Sequence, residues 1–174
     1  MKKAILITGF NNWGKTRIIN HANLFNGRNY KWGQTCRING INSEFIVENH
    51  SNDDYVGKNW IKQLQARIKE VEKNQHNENW NLFTALCPSL ENNNNFIHLL
   101  NDEMFADYEK HLFLIKYKWE NHAELIIKNI QSKLHLIPNA SSYVIDQDAN
   151  IANPDDRTDA KTLAIYNILR TIFP

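Results

Sequence analysis

Ala4-Ile5-Leu6-Ile7-Thr8, then Gly9-Phe10-Asn11-Asn12-Trp13-Gly14-Lys15-Thr16, then Arg17 to Phe25, is the stretch on which the fold turns. Its first part is a short, almost unbroken apolar run, the habit of a strand buried on both faces in a parallel sheet. Its last part, Lys15–Phe25, sets Ile18, Ile19 and Ala22 at helical spacing. Between them lies a polar loop with a glycine at each end and Lys-Thr directly after the second. The order is strand, loop, helix.

The same alternation continues outward. Further apolar runs occur at Glu44–Val47, Leu82–Leu86, His111–Ile115 and Tyr143–Ile145. Helical stripes separate them: Ile61, Leu64, Ile68 and Val71; Phe96, Ile97, Leu99 and Leu100; then Ala123, Ile126, Ile127, Ile130 and Leu134 after Asn121 as an N-cap. The last helix has the clearest start, with Asn153 to cap, Pro154 in the first turn and Asp155 and Asp156 at the positive end of the dipole. Leu163, Ile165, Tyr166, Leu169 and Ile172 form its expected buried side. One segment breaks the alternation: Thr35–Ile38, Asn39-Gly40 and Ile41–Val47 predict a tight type I′ hairpin. The sum is a three-layer α/β fold with a mostly parallel sheet and one antiparallel edge strand.

Gly9 to Thr16 matches G-x-x-x-x-G-K-[ST] at every fixed position, and in its strand–loop–helix setting it resembles the P-loop NTPase superfamily. The match covers eight residues; the α/β alternation extends the likeness loosely over the chain. The resemblance implies a P-loop NTPase-like fold that binds a nucleoside triphosphate with Mg²⁺. Loop amides from Gly9, Asn11, Asn12, Trp13 and Gly14 would surround the phosphates, joined by Lys15 as a point charge, with Arg17 beside them. The Thr16 hydroxyl would ligate Mg²⁺. Asn12 stands where many members carry Gly, a mild departure because Asn tolerates left-handed angles. Trp13 is bulkier than its position needs; packing against the core and covering the phosphates are both open to it.

A second acid is expected near the metal. Glu48, after Phe45-Ile46-Val47, is the first choice and Asp54 the reserve, ahead of Asp146 after Tyr143-Val144-Ile145. Asp54-Tyr55-Val56-Gly57 has the Asp-x-x-Gly spacing of GTPases, and Thr35 falls near the place of their switch threonine. Asp53 and Asp54 have a bland reading as first-turn acids of a helix. The guanine reader Asn-Lys-x-Asp is missing after Ile115, where Lys116-Tyr117-Lys118-Trp119-Glu120 stands instead, so ATP is expected over GTP. Arg157 is the candidate for a phosphate-neutralising arginine, with Arg17 and Arg37 behind it. Cys87, at a strand end, reads as a buried small hydrophobe; His50, near Asp53 and Asp54, lacks the paired spacing that would support a metal site; Trp60, Trp80 and Trp119 read as core or snorkelling residues.

At 174 residues the chain suits a single domain, 1–174. With 42% hydrophobic and 22% charged residues it can fill a core, and a net charge of +1 leaves no basic stripe for nucleic acid. Two cysteines, Cys36 and Cys87, outside any Cys-x-x-Cys pair argue against a disulfide framework. The run after Met1-Lys2-Lys3 is too short for a secretory signal, and no stretch suits a membrane span, so a cytoplasmic protein is expected. The sequence therefore points to a Mg²⁺-dependent ATP-binding protein acting on the γ-phosphate, with catalytic candidates Lys15, Glu48, Asp54 and Arg157. A small-molecule acceptor implies a kinase-like enzyme. A protein partner implies a nucleotide-controlled switch. A degenerate subunit without turnover stays open as well.

Overall fold

The computed structural model describes residues 1–25, 30–75, 79–117, 120–147 and 150–174. In chain order the elements are β1 (Lys2–Thr8), α1 (Lys15–Ile19), β2 (Cys36–Arg37), β3 (Glu44–Glu48), α2 (Lys58–Asn74) and β4 (Trp80–Leu86). They continue with α3 (Phe96–Leu100), β5 (Tyr108–Ile115), α4 (Ala123–Ser132), β6 (Ala140–Ile145) and α5 (Pro154–Ile172). Short 3-10 turns, Glu103–Phe105 and Leu134–Leu136, precede β5 and β6.

The strands form one sheet in the order β2-β3-β4-β1-β5-β6, parallel throughout except for the edge pair β2-β3. Side chains alternate across it as a period of two requires. Ala4 and Leu6 face a core built with Trp60, Leu64, Phe96, Leu100, Ile127 and Ile130 from α2, α3 and α4. Ile5 and Ile7 face a second core, closed by Ile18 and Ile19 of α1 and Ile165 and Leu169 of α5. The helices thus lie on both faces. Travel along the sheet reverses after β3, and the connecting helices change face with it, the consequence of keeping one crossover hand. β1 is therefore flanked on both sides by strands, β4 and β5, whose following helices lie on the face opposite α1. Its carboxyl end is the topological switch point, where sheets of this kind leave a crevice.

Four local expectations change. The hairpin is wider than a two-residue turn: Cys36 pairs with Phe45 and Arg37 with Glu44. Ile38 and Ile41 leave the ladder to bury themselves, closing their own turn through Ile41 N to Ile38 O at 3.0 Å. Gly40 has φ 76°, whereas Asn39 is not at positive φ, so the turn is not type I′. The helix after the first loop stops at Ile19, and Ala22 is exposed. Asn20 accepts from the Tyr30 hydroxyl at 2.6 Å and the His21 ring meets Asp159 at 2.7 Å. Such side-chain bonds compete with helix continuation, and the turn lets Leu24 and Phe25 enter the core. His122, not Asn121, holds the N-cap position of α4, and Leu134 falls in the 3-10 turn beyond that helix. Leu163 is exposed; α5 buries Lys161 and Thr162 with Ile165 and Leu169 instead. The α5 cap is as expected, Asn153 accepting from Asp155 N at 2.8 Å. Lys118 and Trp119 lie outside the described residues. Among the described residues no helix is long and apolar enough to cross a membrane.

Candidate functional site

The Gly9–Thr16 loop leaves β1 at the switch point. Gly9 N prolongs the ladder to Leu86 O at 3.0 Å, and Trp13 N closes a turn on Phe10 O at 3.2 Å. Asn12 has φ 65° and Gly14, the N-cap of α1, has φ 87°. The first helical bond runs from Ile18 N to Gly14 O at 3.0 Å. Lys15, Thr16 and Arg17 therefore offer first-turn amides that no helix carbonyl can satisfy. With only five residues, α1 has a weak dipole, so the pull on an anion rests on these amides and on Lys15. The Lys15 stem is buried and its ammonium donates to Phe10 O at 3.1 Å, back across the loop. The Thr16 hydroxyl donates to Asn49 O at 3.2 Å, joining this loop to the segment after β3.

Trp13 packs inward. It meets Phe10 edge-on at 5.4 Å between ring centroids and stacks on Tyr117, after β5, at 5.9 Å. It also lies over Gly9, where an added Cβ would come 3.2 Å from the Trp13 Cβ.

Glu48 and Asp54 part company. Glu48 points to the α2 side, fully buried, with Arg67 Nε on one oxygen at 2.6 Å and His50 Nδ1 on the other at 2.8 Å. Burial alone would push its carboxyl up. The His50 backbone N–H and the Arg67 charge outweigh burial and hold the carboxyl below its usual range. Asp54 instead lines a cleft of about 380 Å³ together with Asn11, Asn12, Gly14, Lys15, Thr16, Arg17 and Ser51. Its Oδ2 accepts from Ser51 N at 2.8 Å, which fixes the carboxylate at the cleft wall. Asp54 is thus brought beside Lys15 and Thr16, and Glu48 is held by α2.

Asn52 fixes the intervening segment. It is fully buried; its amide donates to Cys87 O at 3.0 Å and Asn94 Oδ1 at 2.8 Å, and its oxygen accepts from Cys87 N at 2.6 Å. Cys87 stays a protonated thiol: burial and the nearby Asp53 charge push it up to about 11, against the pull of Lys15. Val56, 63% exposed, sits at φ 53°, and Gly57 follows at φ 55° with its Cα pressed so closely on Asn93 O that a Cβ would lie 1.8 Å from it. A β-branched residue in the left-handed region is strained.

Arg17 pairs with Asp155. Arg157 Nη1 donates to the carbonyls of Ile151 and Ala152. It lines a second cavity, about 200 Å³, that shares Asn12, Gly14 and Arg17 with the first and adds Trp13, Tyr117 and Lys161. Arg37 is spent on Glu44 at 2.9 Å, and Thr35 bonds Glu44 and Gln75, both at 2.9 Å, at the amino end of β3, the opposite end from Lys15. Asp146 is exposed beyond β6, an edge strand two positions from β1. Ser51, Asn52, Lys161 and Tyr117 carry no sequence signal. They are ordinary polar or aromatic residues placed by the tertiary fold.

Among the described residues no cluster of three His, Cys, Asp or Glu side chains is placed to hold a metal. A Mg²⁺ ion here would need to share Thr16 and Asp54 with phosphate oxygens and water, the ordinary habit of that ion. Thr16 and Asp54 line the same cleft, so the chemistry of the donor set is compatible with that requirement once the Thr16 hydroxyl turns from Asn49 O. Comparison of the chain with family models, with curated proteins and with solved structures finds no match.

Proposed function

We propose that the chain binds Mg²⁺-ATP at the carboxyl end of β1 and transfers the γ-phosphoryl group as a small P-loop kinase. The observation that carries this is the gathering of Lys15, Thr16, Asp54 and the first-turn amides on one cleft at the switch point. The amides and the Lys15 ammonium would hold the phosphates, the ammonium exchanging Phe10 O for phosphate oxygen. Thr16 and Asp54, in preference to Glu48, would hold Mg²⁺, which would supply charge neutralisation at the phosphates. The second cavity adjoins this cleft through Asn12, Gly14 and Arg17 and carries the Trp13–Tyr117 stack, a flat aromatic surface on which a base could lie, with Arg157 at its edge. Asn-Lys-x-Asp is absent there, so no guanine selectivity is expected. A site of positioned charges without a water-orienting group should hydrolyse ATP slowly when no acceptor is present.

Calorimetric titration with Mg²⁺ and a non-hydrolysable ATP analogue tests this. Wild type should bind, and Lys15→Ala should bind at least about 100-fold more weakly with an unchanged melting curve, since a charged hydrogen bond to phosphate is lost. Equal affinity in two folded proteins would refute the reading.

A nucleotide-controlled switch is the second reading, and the strained Val56 favours it. Backbone strain three residues or fewer from Asp54 is where a loop with two arrangements would store its bias. Amide exchange across residues 49–57 that is the same with ATP analogue and with ADP would dismiss it.

A further inference from the structure

A third cavity, about 400 Å³, opens on the α3/α4 face of the same sheet end and is walled by Phe10, Leu90, Phe96, Ile126 and Ile130. Phe10 belongs to the first loop. Its carbonyl holds the Lys15 ammonium at 3.1 Å, and its ring meets Trp13, which stacks on Tyr117 in the second cavity. One residue therefore separates this cavity from the group that would meet the terminal phosphate. The floor is deeply apolar, Phe96 and Ile130 being buried. Leu90, at 43% exposure, leaves a large apolar side chain half in water at the cavity wall. The polar groups are few and mutually fixed: Lys133 Nζ donates to Asn129 Oδ1 at 2.7 Å, and Ser89 Oγ accepts from Glu91 N at 3.1 Å.

We propose that this cavity is the acceptor pocket of the phosphotransferase, and that it takes a small uncharged molecule with an apolar, ring-sized body and a hydroxyl group. The proposal rests on the nucleotide reading above. Size suits it, since pockets for such molecules run from roughly 300 Å³ upward. Charge decides the class. Among the described lining residues Lys133 is the one cation and Glu91 the one acid, so the wall is neutral. An acceptor carrying its own phosphate would require several converging cations. The apolar walls disfavour a sugar, whose hydroxyls would lose water without partners. In the transfer, the acceptor oxygen bonds the γ-phosphorus while the bond to the β–γ bridging oxygen breaks. That electron pair leaves with ADP, and the hydroxyl proton passes to solvent.

The test uses the full chain, 2-phenylethanol as probe and glucose as the polar control. Binding is read by ligand-observed NMR with the Mg²⁺-ATP analogue present, and transfer is followed with γ-labelled ATP. Wild type should bind 2-phenylethanol at about millimolar Kd and ignore glucose. Ile126→Trp, which fills the cavity, should weaken probe binding at least about tenfold while the analogue binds as before. Leu90→Asp, at an exposed wall position that does not threaten the fold, should act in the same direction. Labelled 2-phenylethyl phosphate should form with wild type and fall in both variants. If the analogue binds but the probe does not, or binds wild type and both variants equally, the acceptor proposal is overturned and the nucleotide reading stands. If the analogue itself does not bind, the nucleotide reading falls and takes the acceptor role with it.

Discussion

Two loops face one another at the carboxyl end of the sheet, and they owe their shapes to different causes. Gly9–Thr16 is shaped by its own residues: Asn12 and Gly14 take left-handed angles, and Lys15 folds back to Phe10 within the loop. Residues 49–57 are shaped by the rest of the molecule. Glu48 before them is gripped by Arg67 of α2, Asn52 by Cys87 and Asn94, and the Trp60 indole donates to His50 O at 3.2 Å. A locally determined loop can be read from its spacing. A loop held by tertiary bonds cannot, and the choice between Glu48 and Asp54 depended on the second kind.

The largest effect should come from breaking the tertiary grip. Asn52→Ala leaves Cys87 N, Cys87 O and Asn94 Oδ1 without their buried partner, and each orphaned group costs about 1–3 kcal/mol. Urea denaturation should show a loss of about 4 kcal/mol. A loss below about 1 kcal/mol would mean that the segment holds its shape by itself.

Glu48→Gln and Asp54→Asn should separate structure from binding. The first breaks a buried ion pair and should cost about 3 kcal/mol of stability while leaving affinity for the ATP analogue within about threefold. Because folding lowers the Glu48 pKa, its stabilisation is complete above the unfolded-state value, near 4.5. It is lost as pH falls through the lower folded value, since the unfolded chain then takes up the proton first. Denaturation between pH 3 and 6 should therefore give a flatter curve for Glu48→Gln than for wild type. Asp54→Asn should do the reverse, changing stability by under about 1 kcal/mol and weakening the Mg²⁺-dependent part of affinity about tenfold. Exchanged outcomes for the two variants would return the metal to Glu48.

The smallest effect has an unusual sign. Val56→Gly should stabilise the chain by about 0.5–1 kcal/mol, because relief of a β-branched residue at φ 53° outweighs the entropy that glycine adds to the unfolded state. Destabilisation in thermal melts would remove the strain on which the switch reading leans.

Much of the architecture was legible because buried parallel strands announce themselves as short apolar runs. Ala4–Thr8, Leu82–Leu86 and His111–Ile115 all fall within strands, and Asn153-Pro154 starts α5 as capping chemistry requires. The early end of α1 was not legible, because Ile18, Ile19 and Ala22 keep helical spacing while distant partners, Tyr30 and Asp159, draw Asn20 and His21 away. The hairpin misled for a similar reason: Asn39-Gly40 satisfies a local turn rule, but burial of Ile38 and Ile41 decides its width. At the site, Lys15 and Thr16 do line one cleft with Asp54 at the end of β1, a placement that follows from their spacing after that strand. The orientation of Glu48 depended on Arg67, nineteen residues away on α2.

A crystal structure with Mg²⁺ and a non-hydrolysable ATP analogue would show whether a triphosphate and its metal lie between the two loops. The Lys15 ammonium should leave Phe10 O for the phosphates, the metal should lie between Thr16 and Asp54, and Glu48 should keep its bonds to Arg67 and His50. Phosphates bound elsewhere, or Glu48 freed from Arg67 and turned to the metal, would contradict this placement.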